Sequence, residues 1–158
     1  MKIMDFLCPE AIIVDINATD KKGAITEIVE VLKTLNKIKN SSEVVDTLLQ
    51  REKLGSTGIG QGVAIPHSKI DSLTKQSSSP SGIIGALGIS RQGINFDALD
   101  GGIVHLIFLL ICSPENSGEH LQAMACVSRL FRNKSVKNAI LNATTPAEVL
   151  SIIQKINT

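Results

Sequence analysis

The sequence predicts an α/β fold, a single layered sandwich in which a central mixed β-sheet is flanked by helices. Three observations predict it. Short β-branched runs alternate with stretches of helical apolar periodicity along the chain. The run from Ile103 to Cys112 is almost wholly apolar, interrupted only by His105, as suits a strand covered on both faces. The length of 158 residues, 43% hydrophobic and 20% charged, suits one packed domain spanning residues 1 to 158 rather than two.

The elements follow in order. Ala11 to Ile16 is short and β-branched and reads as a strand. Ile25, Ile28, Val29, Leu32 and Leu35 form one apolar face, so a helix is expected over residues 21 to 36. Ser41-Ser42-Glu43 is expected to cap a second helix, with Val44, Val45, Leu48 and Leu49 inward and Gly55 as its stop. Val63-Ala64-Ile65 reads as a short strand stopped by Pro66. Residues 72 to 81 have no apolar period and read as a mobile surface loop. Strands are expected over residues 83 to 89 and 104 to 111. A helix follows from Pro114 to about Phe131, with Asn116 and Glu119 spaced as a capping box. A short helix near residues 135 to 141 precedes the last one, which Thr145-Pro146-Ala147-Glu148 opens as N-cap, N1 and N3.

Composition excludes several function classes. Lys+Arg is 16 and Asp+Glu is 15, and no dense basic run offers a nucleic-acid footprint. Trp and Tyr are absent and there are four Phe, too few for a base-stacking platform. No apolar run reaches the roughly 18–20 residues that cross a bilayer, so no direct membrane insertion is expected. Asp5 breaks the N-terminal apolar stretch that a signal peptide needs. Cys8, Cys112 and Cys126 lack the spacing of a disulfide framework or a metal site, and read as free buried thiols in a reducing cytoplasm. No cofactor and no metal are called for.

Residues 54 to 66 change character, with Gly55, Gly58, Gly60 and Gly62 close together. This is not a nucleotide loop. Gln61 and Gly62 stand where a P-loop has Lys and Ser or Thr, and the glycine spacing does not fit a dinucleotide fold. Glycines do permit positive φ and close backbone approach. Pro66-His67 follows, so a histidine sits at the end of a strand on a surface stripped of bulk. Arg51, near the end of its helix, could reach over that surface, or could be a solvated partner of the helix C-terminus. His120 shares a stripe with Met124, Val127 and Phe131 and points inward from the first turn of its helix, either as an anion-facing group or as a core histidine. His105 lies within an apolar strand and reads as packed and satisfied.

The run from Arg51 to His67, Arg-Glu-Lys-Leu-Gly-Ser-Thr-Gly-Ile-Gly-Gln-Gly-Val-Ala-Ile-Pro-His, resembles the active-site segment of enzyme IIA of the fructose/mannitol/nitrogen-regulatory type in the bacterial phosphoenolpyruvate-dependent phosphotransferase system. The resemblance continues through Asn95 to Asp100 and Glu119-His120-Leu121 and covers about residues 5 to 157. It implies a phosphocarrier. The family's phosphorylated histidine falls on His67, with attachment at Nε2; its phosphate-site arginine falls on Arg51 and its second active-site histidine on His120. The donor implied is HPr, and the acceptor a IIB component in sugar uptake. The alternative, from the nitrogen-regulatory branch, is a protein whose phosphorylation at His67 switches binding to regulatory targets.

A relay between histidines needs a neutral imidazole as nucleophile, with its other nitrogen held by an acceptor. It also needs charge stabilisation on the moving phosphoryl group. The loop's backbone N–H groups and the hydroxyls of Ser56 and Thr57 are expected to supply donors around His67. Ile59, Val63, Ile65 and the loop near Phe96 are expected to rim the partner-facing patch.

Overall fold

The computed structural model describes residues 1–73 and 81–156. Most of the loop expected over residues 72 to 81 therefore lies outside the described residues. The strands are β1 (Leu7–Ile13), β2 (Gly58–Gly60), β3 (Val63–Ala64), β4 (His67–Lys69), β5 (Ile83–Ile94) and β6 (Val104–Cys112). The helices are α1 (Lys21–Thr34), α2 (Ser41–Lys53), α3 (Ser117–Arg132), α4 (Lys134–Asn142) and α5 (Pro146–Lys155). The strands form one mixed sheet in the order β1-β5-β6-β3-β2, with β4 also on β6. β5 and β6 are antiparallel, whereas β1 runs parallel to β5, and β3 and β4 run parallel to β6.

β6 organises the molecule. From Leu106 to Cys112 its side chains alternate between two cores. Ile107, Leu109 and Ile111 join the residues of α1 and α2 on one face. Leu106, Phe108, Leu110 and Cys112 join those of α3, α4 and α5 on the other. Each such side chain, fully removed from water, contributes about 1.5–3 kcal/mol. Both faces need covering, so the continuous apolar run and the flanking helices are one requirement.

Local chemistry sets the helix ends. Asp20 caps α1 by accepting from Gly23 N–H at 2.8 Å. Asn40, not Ser41, caps α2, accepting from Glu43 N–H at 3.1 Å. Thr145 caps α5 as expected, with Pro146 at its first position and Glu148 N–H donating to the threonine hydroxyl. The capping box expected at Asn116 does not form. The Ser113 hydroxyl donates to Asn116 Oδ1 at 2.6 Å, and no side chain caps α3.

Three strand expectations need correction. β1 starts at Leu7 rather than Ala11 and takes in Pro9 and Glu10. It is an edge strand with a register shift between Leu7 and Ile12, where a proline without N–H costs no central ladder bond. β5 continues to Ile94 through a second irregularity beyond Ile89. β2 and β4, each three residues long, fall in stretches without a strand signature of their own.

Among the described residues no helix is long and apolar enough to cross a membrane. Cys8, Cys112 and Cys126 are free and buried, as expected.

Candidate functional site

β3 and β4 are one strand broken in the middle. Val63 and Ala64 pair with Leu106 and Ile107, and His67 to Lys69 pair with Leu110 to Cys112 in the same register. Pro66 lies at the break because it has no N–H for the ladder. Its carbonyl still accepts from Leu110 N–H at 2.9 Å. The Ile65 N–H turns to the Thr57 carbonyl at 3.0 Å, in the glycine-rich segment. His67 comes out on the α3 side of the sheet, since it pairs with Leu110.

The ring of His67 then meets the Ile65 carbonyl, Nδ1 to oxygen, at 2.7 Å. A carbonyl only accepts, so Nδ1 carries the proton and donates. Nε2 keeps its lone pair and makes no hydrogen bond among the described residues. Burial pushes the His67 pKa below its ordinary 6.5, the Ile65 carbonyl opposes that, the Arg51 charge adds to it and the Glu52 charge opposes it. The result is an imidazole that is neutral at pH 7 with its tautomer set.

His120 projects from the first turn of α3 onto His67. The ring centroids are 5.5 Å apart with planes at 65°. His120 is 7% exposed, and its Nε2 is buried without a hydrogen-bond partner among the described residues. Desolvation, then the charges of His67 and Lys69, hold its pKa at about 4. The cations that disfavour a proton on either ring favour an anion beside them.

Arg51, His67 and His120 line one cleft of ≈ 500 Å³ with Ser68, Lys69, Ser117, Leu121 and Met124. The Arg51 guanidinium is steadied by the Gly55 carbonyl, to which Nη1 donates at 3.0 Å. The expected triad of side chains thus meets at one place.

Ser56 and Thr57 lie elsewhere. Ser56 Oγ donates to the Phe96 carbonyl at 2.6 Å and accepts from Gly58 N–H, and Thr57 Oγ1 donates to Glu52 Oε2 at 2.5 Å. Neither hydroxyl lines the cleft, because both are spent on folding the loop. His105 is satisfied at Nδ1 by the Ser90 carbonyl at 2.8 Å, as expected.

The expected apolar rim is also redrawn. Val63, Ile65 and Phe96 are buried in the core, and Ile59 alone of that set is exposed. Leu121, in the cleft lining, and Leu54, three residues after Arg51, are large apolar side chains at 74% and 85% exposure.

Sequence reasoning missed Lys69, Ser68 and Glu52. Lys69 had a signal, since it stands two residues after His67 on a strand and so shares its face. Glu52 had one too: an acid four residues after the buried Leu48, on the inward side of α2.

Comparison with known proteins identifies the family. Residues 5–156 match the profile of the phosphoenolpyruvate-dependent sugar phosphotransferase system EIIA 2 family. The chain belongs to that family. EIIA proteins are phosphotransfer components of the system. A nitrogen regulatory protein of Bradyrhizobium diazoefficiens is 36% identical over 154 residues, which span 97% of this chain and 95% of that one. A fructose-specific EIIABC component of Bacillus subtilis is 30% identical across 98% of this chain, which spans 23% of that larger protein. The crystal structure of the nitrogen regulatory protein IIA-Ntr of Neisseria meningitidis superposes with a TM-score of 0.83 at 32% identity, covering 96% of this chain and 98% of that one. The EIIA fold accounts for the mixed sheet flanked by helices on both faces.

Proposed function

We propose that this chain is a cytoplasmic phosphocarrier whose phosphoryl acceptor is His67. The observation that carries the proposal is the 2.7 Å bond from His67 Nδ1–H to the Ile65 carbonyl, which leaves Nε2 as a lone-pair nucleophile in a cleft shared with Arg51 and His120. The described residues fold around one sheet, which supports reading the chain as one EIIA domain.

The step balances simply. The lone pair of His67 Nε2 attacks phosphorus on a donor phosphohistidine, supplied by HPr. The P–N bond to the donor breaks, and its electron pair returns to the donor nitrogen. Nδ1 keeps its proton throughout. Phosphoryl transfer is governed by positioning and charge stabilisation, which Arg51 provides with its fork of donors. His120, neutral beside His67, adds no positive charge that would make the attacking ring less nucleophilic. In onward transfer a nucleophile of a IIB partner, docking over Leu54 and Leu121, attacks phosphorus, and the P–N bond to His67 breaks with its electron pair returning to Nε2.

The 36% identity to a nitrogen regulatory protein supports a second reading of the same site. In that reading the phosphoryl group, with about two negative charges, switches which regulatory protein docks.

A relay of phosphoenolpyruvate, enzyme I, HPr and this protein tests the proposal. Acid-labile phosphate mapped to His67 and lost in His67→Ala is the expected result. Full labelling of His67→Ala overturns the assignment. Onward transfer to IIB proteins then separates carriage from switching.

A further inference from the structure

We propose that Glu52 is a positioning residue for His67, acting through Thr57 and Ile65; the inference rests on His67 being the acceptor. The connection is continuous. Glu52 Oε1 accepts from Thr57 N–H at 3.2 Å, and Glu52 Oε2 accepts from the Thr57 hydroxyl at 2.5 Å. The Thr57 carbonyl accepts from Ile65 N–H at 3.0 Å. The Ile65 carbonyl accepts from His67 Nδ1–H at 2.7 Å. One carboxylate in the last turn of α2 therefore fixes the N–H and the hydroxyl of Thr57, and through the Thr57 carbonyl and Ile65 it fixes the carbonyl that selects the tautomer of His67.

The carboxylate is itself held. Lys21 Nζ stands 3.1 Å from Glu52 Oε1. The same ammonium lies 3.5 Å from Asp97 Oδ2 and 5.0 Å from the centre of the Phe96 ring. Phe96 in turn offers its carbonyl to Ser56, beside Thr57. Glu52 is 8% exposed, and no polar side chain in the cleft touches it. A buried carboxylate with neutral isosteres available is a costly choice if its only task is to close a turn. Its placement makes sense as a rigid anchor, because ionised acceptors form shorter and stronger bonds than neutral ones. Ile65 gains from the anchor because it lies at the break against β6, where its N–H is held by the Thr57 carbonyl, one rung beyond the Gly58–Ala64 pair.

The test compares Glu52→Gln, Glu52→Ala and Thr57→Val with the unmodified chain. Nitrogen-15 NMR of the His67 ring at pH 8 reads the tautomer directly and needs no phosphorylation. The unmodified protein shows the Nδ1–H form. Glu52→Ala shows a mixture with the Nε2–H form and accepts phosphate roughly tenfold more slowly, the order of loss expected from a small misplacement of a reacting group. Glu52→Gln keeps one acceptor and the shape of the side chain but loses the charge and the ion pair to Lys21, so its rate falls between those of Glu52→Ala and the unmodified protein. If Glu52→Ala does not fold, Thr57→Val carries the test, since it removes the hydroxyl bond and keeps the volume; a mixture is expected there too. A folded Glu52→Ala or Thr57→Val with an unmixed Nδ1–H ring and unchanged transfer overturns the proposal. Absence of label on the unmodified protein, with the tautomer shift still present, would instead overturn the assignment of His67 as acceptor and leave the positioning contact standing.

Discussion

Replacing His120 with Gln should flatten the acid dependence of stability, by an amount the burial of its ring sets. The pKa of His120 is about 4 in the folded chain, against an ordinary 6.5. As pH falls below 6.5, the unfolded chain takes up a proton at this position and the folded chain does not. Stability is therefore present in full above pH 6.5 and is lost down to pH 4, below which both states are protonated. The two pKa values give a loss of about 2 kcal/mol between pH 7 and pH 5, and about 3 kcal/mol by pH 4. The largest cause is desolvation of a ring that is 7% exposed, so the effect belongs to the fold and not to surface charge. Gln is a good helix former and stays neutral, so α3 keeps its shape. Urea unfolding at pH 7, 6 and 5 measures the difference. His67, whose pKa is also lowered, loses stability in the same direction in both proteins, so the comparison reads His120 together with its coupling to His67. Stability curves that run parallel, within about 0.5 kcal/mol from pH 7 to pH 5, would refute the reasoning by showing that His120 protonates in place without penalty.

Two further outcomes follow from the site. Arg51→Ala should slow phosphoryl acceptance about a hundredfold, the usual loss on removing one transition-state donor, while urea unfolding changes by no more than about 1 kcal/mol for the single bond to Gly55; an unchanged rate would remove Arg51 from phosphate stabilisation. Gly58→Ala should destabilise the chain by about 1–3 kcal/mol through overpacking, because a Cβ there lies 2.9 Å from both Cα and Cβ of Ala98, and an unchanged urea midpoint would show that the 95–100 loop can give way.

What the sequence made legible divides along physical lines. Helices with a one-sided apolar stripe, such as α1 and α5, were readable to within a few residues because periodicity and caps are local. β6 was readable because only burial on both faces tolerates so apolar a run. β2 and β4 were not, since a three-residue strand is defined by the neighbour that pairs with it. Pro9 likewise hid the first half of β1, because its tolerance depends on the strand being at an edge. In the site, Arg51, His67 and His120 were legible by resemblance and by helix phase, and the structure brings them to one cleft. The roles of Ser56 and Thr57 were read from residue type alone. Their hydroxyls find Phe96 and Glu52, 40 and 5 residues away, and no local pattern reports such partners. The acceptor that sets the His67 tautomer is only two residues upstream, yet it is a backbone carbonyl, and its direction depends on the break at Pro66.

That break also fixes a count. Val63 and His67 keep the same register against β6, so the residues between them are as many as an uninterrupted strand would have. The side-chain period of a strand is two. One residue added or removed between Ala64 and His67 would turn the imidazole through the sheet toward α1 and α2, leaving Ser68 or Pro66 to face His120. Chain length can vary in a surface loop with little penalty, but along this edge parity decides which layer holds the histidine. A change in the number of residues between these two pairing points would dismantle the cleft while leaving every one of its side chains in the sequence.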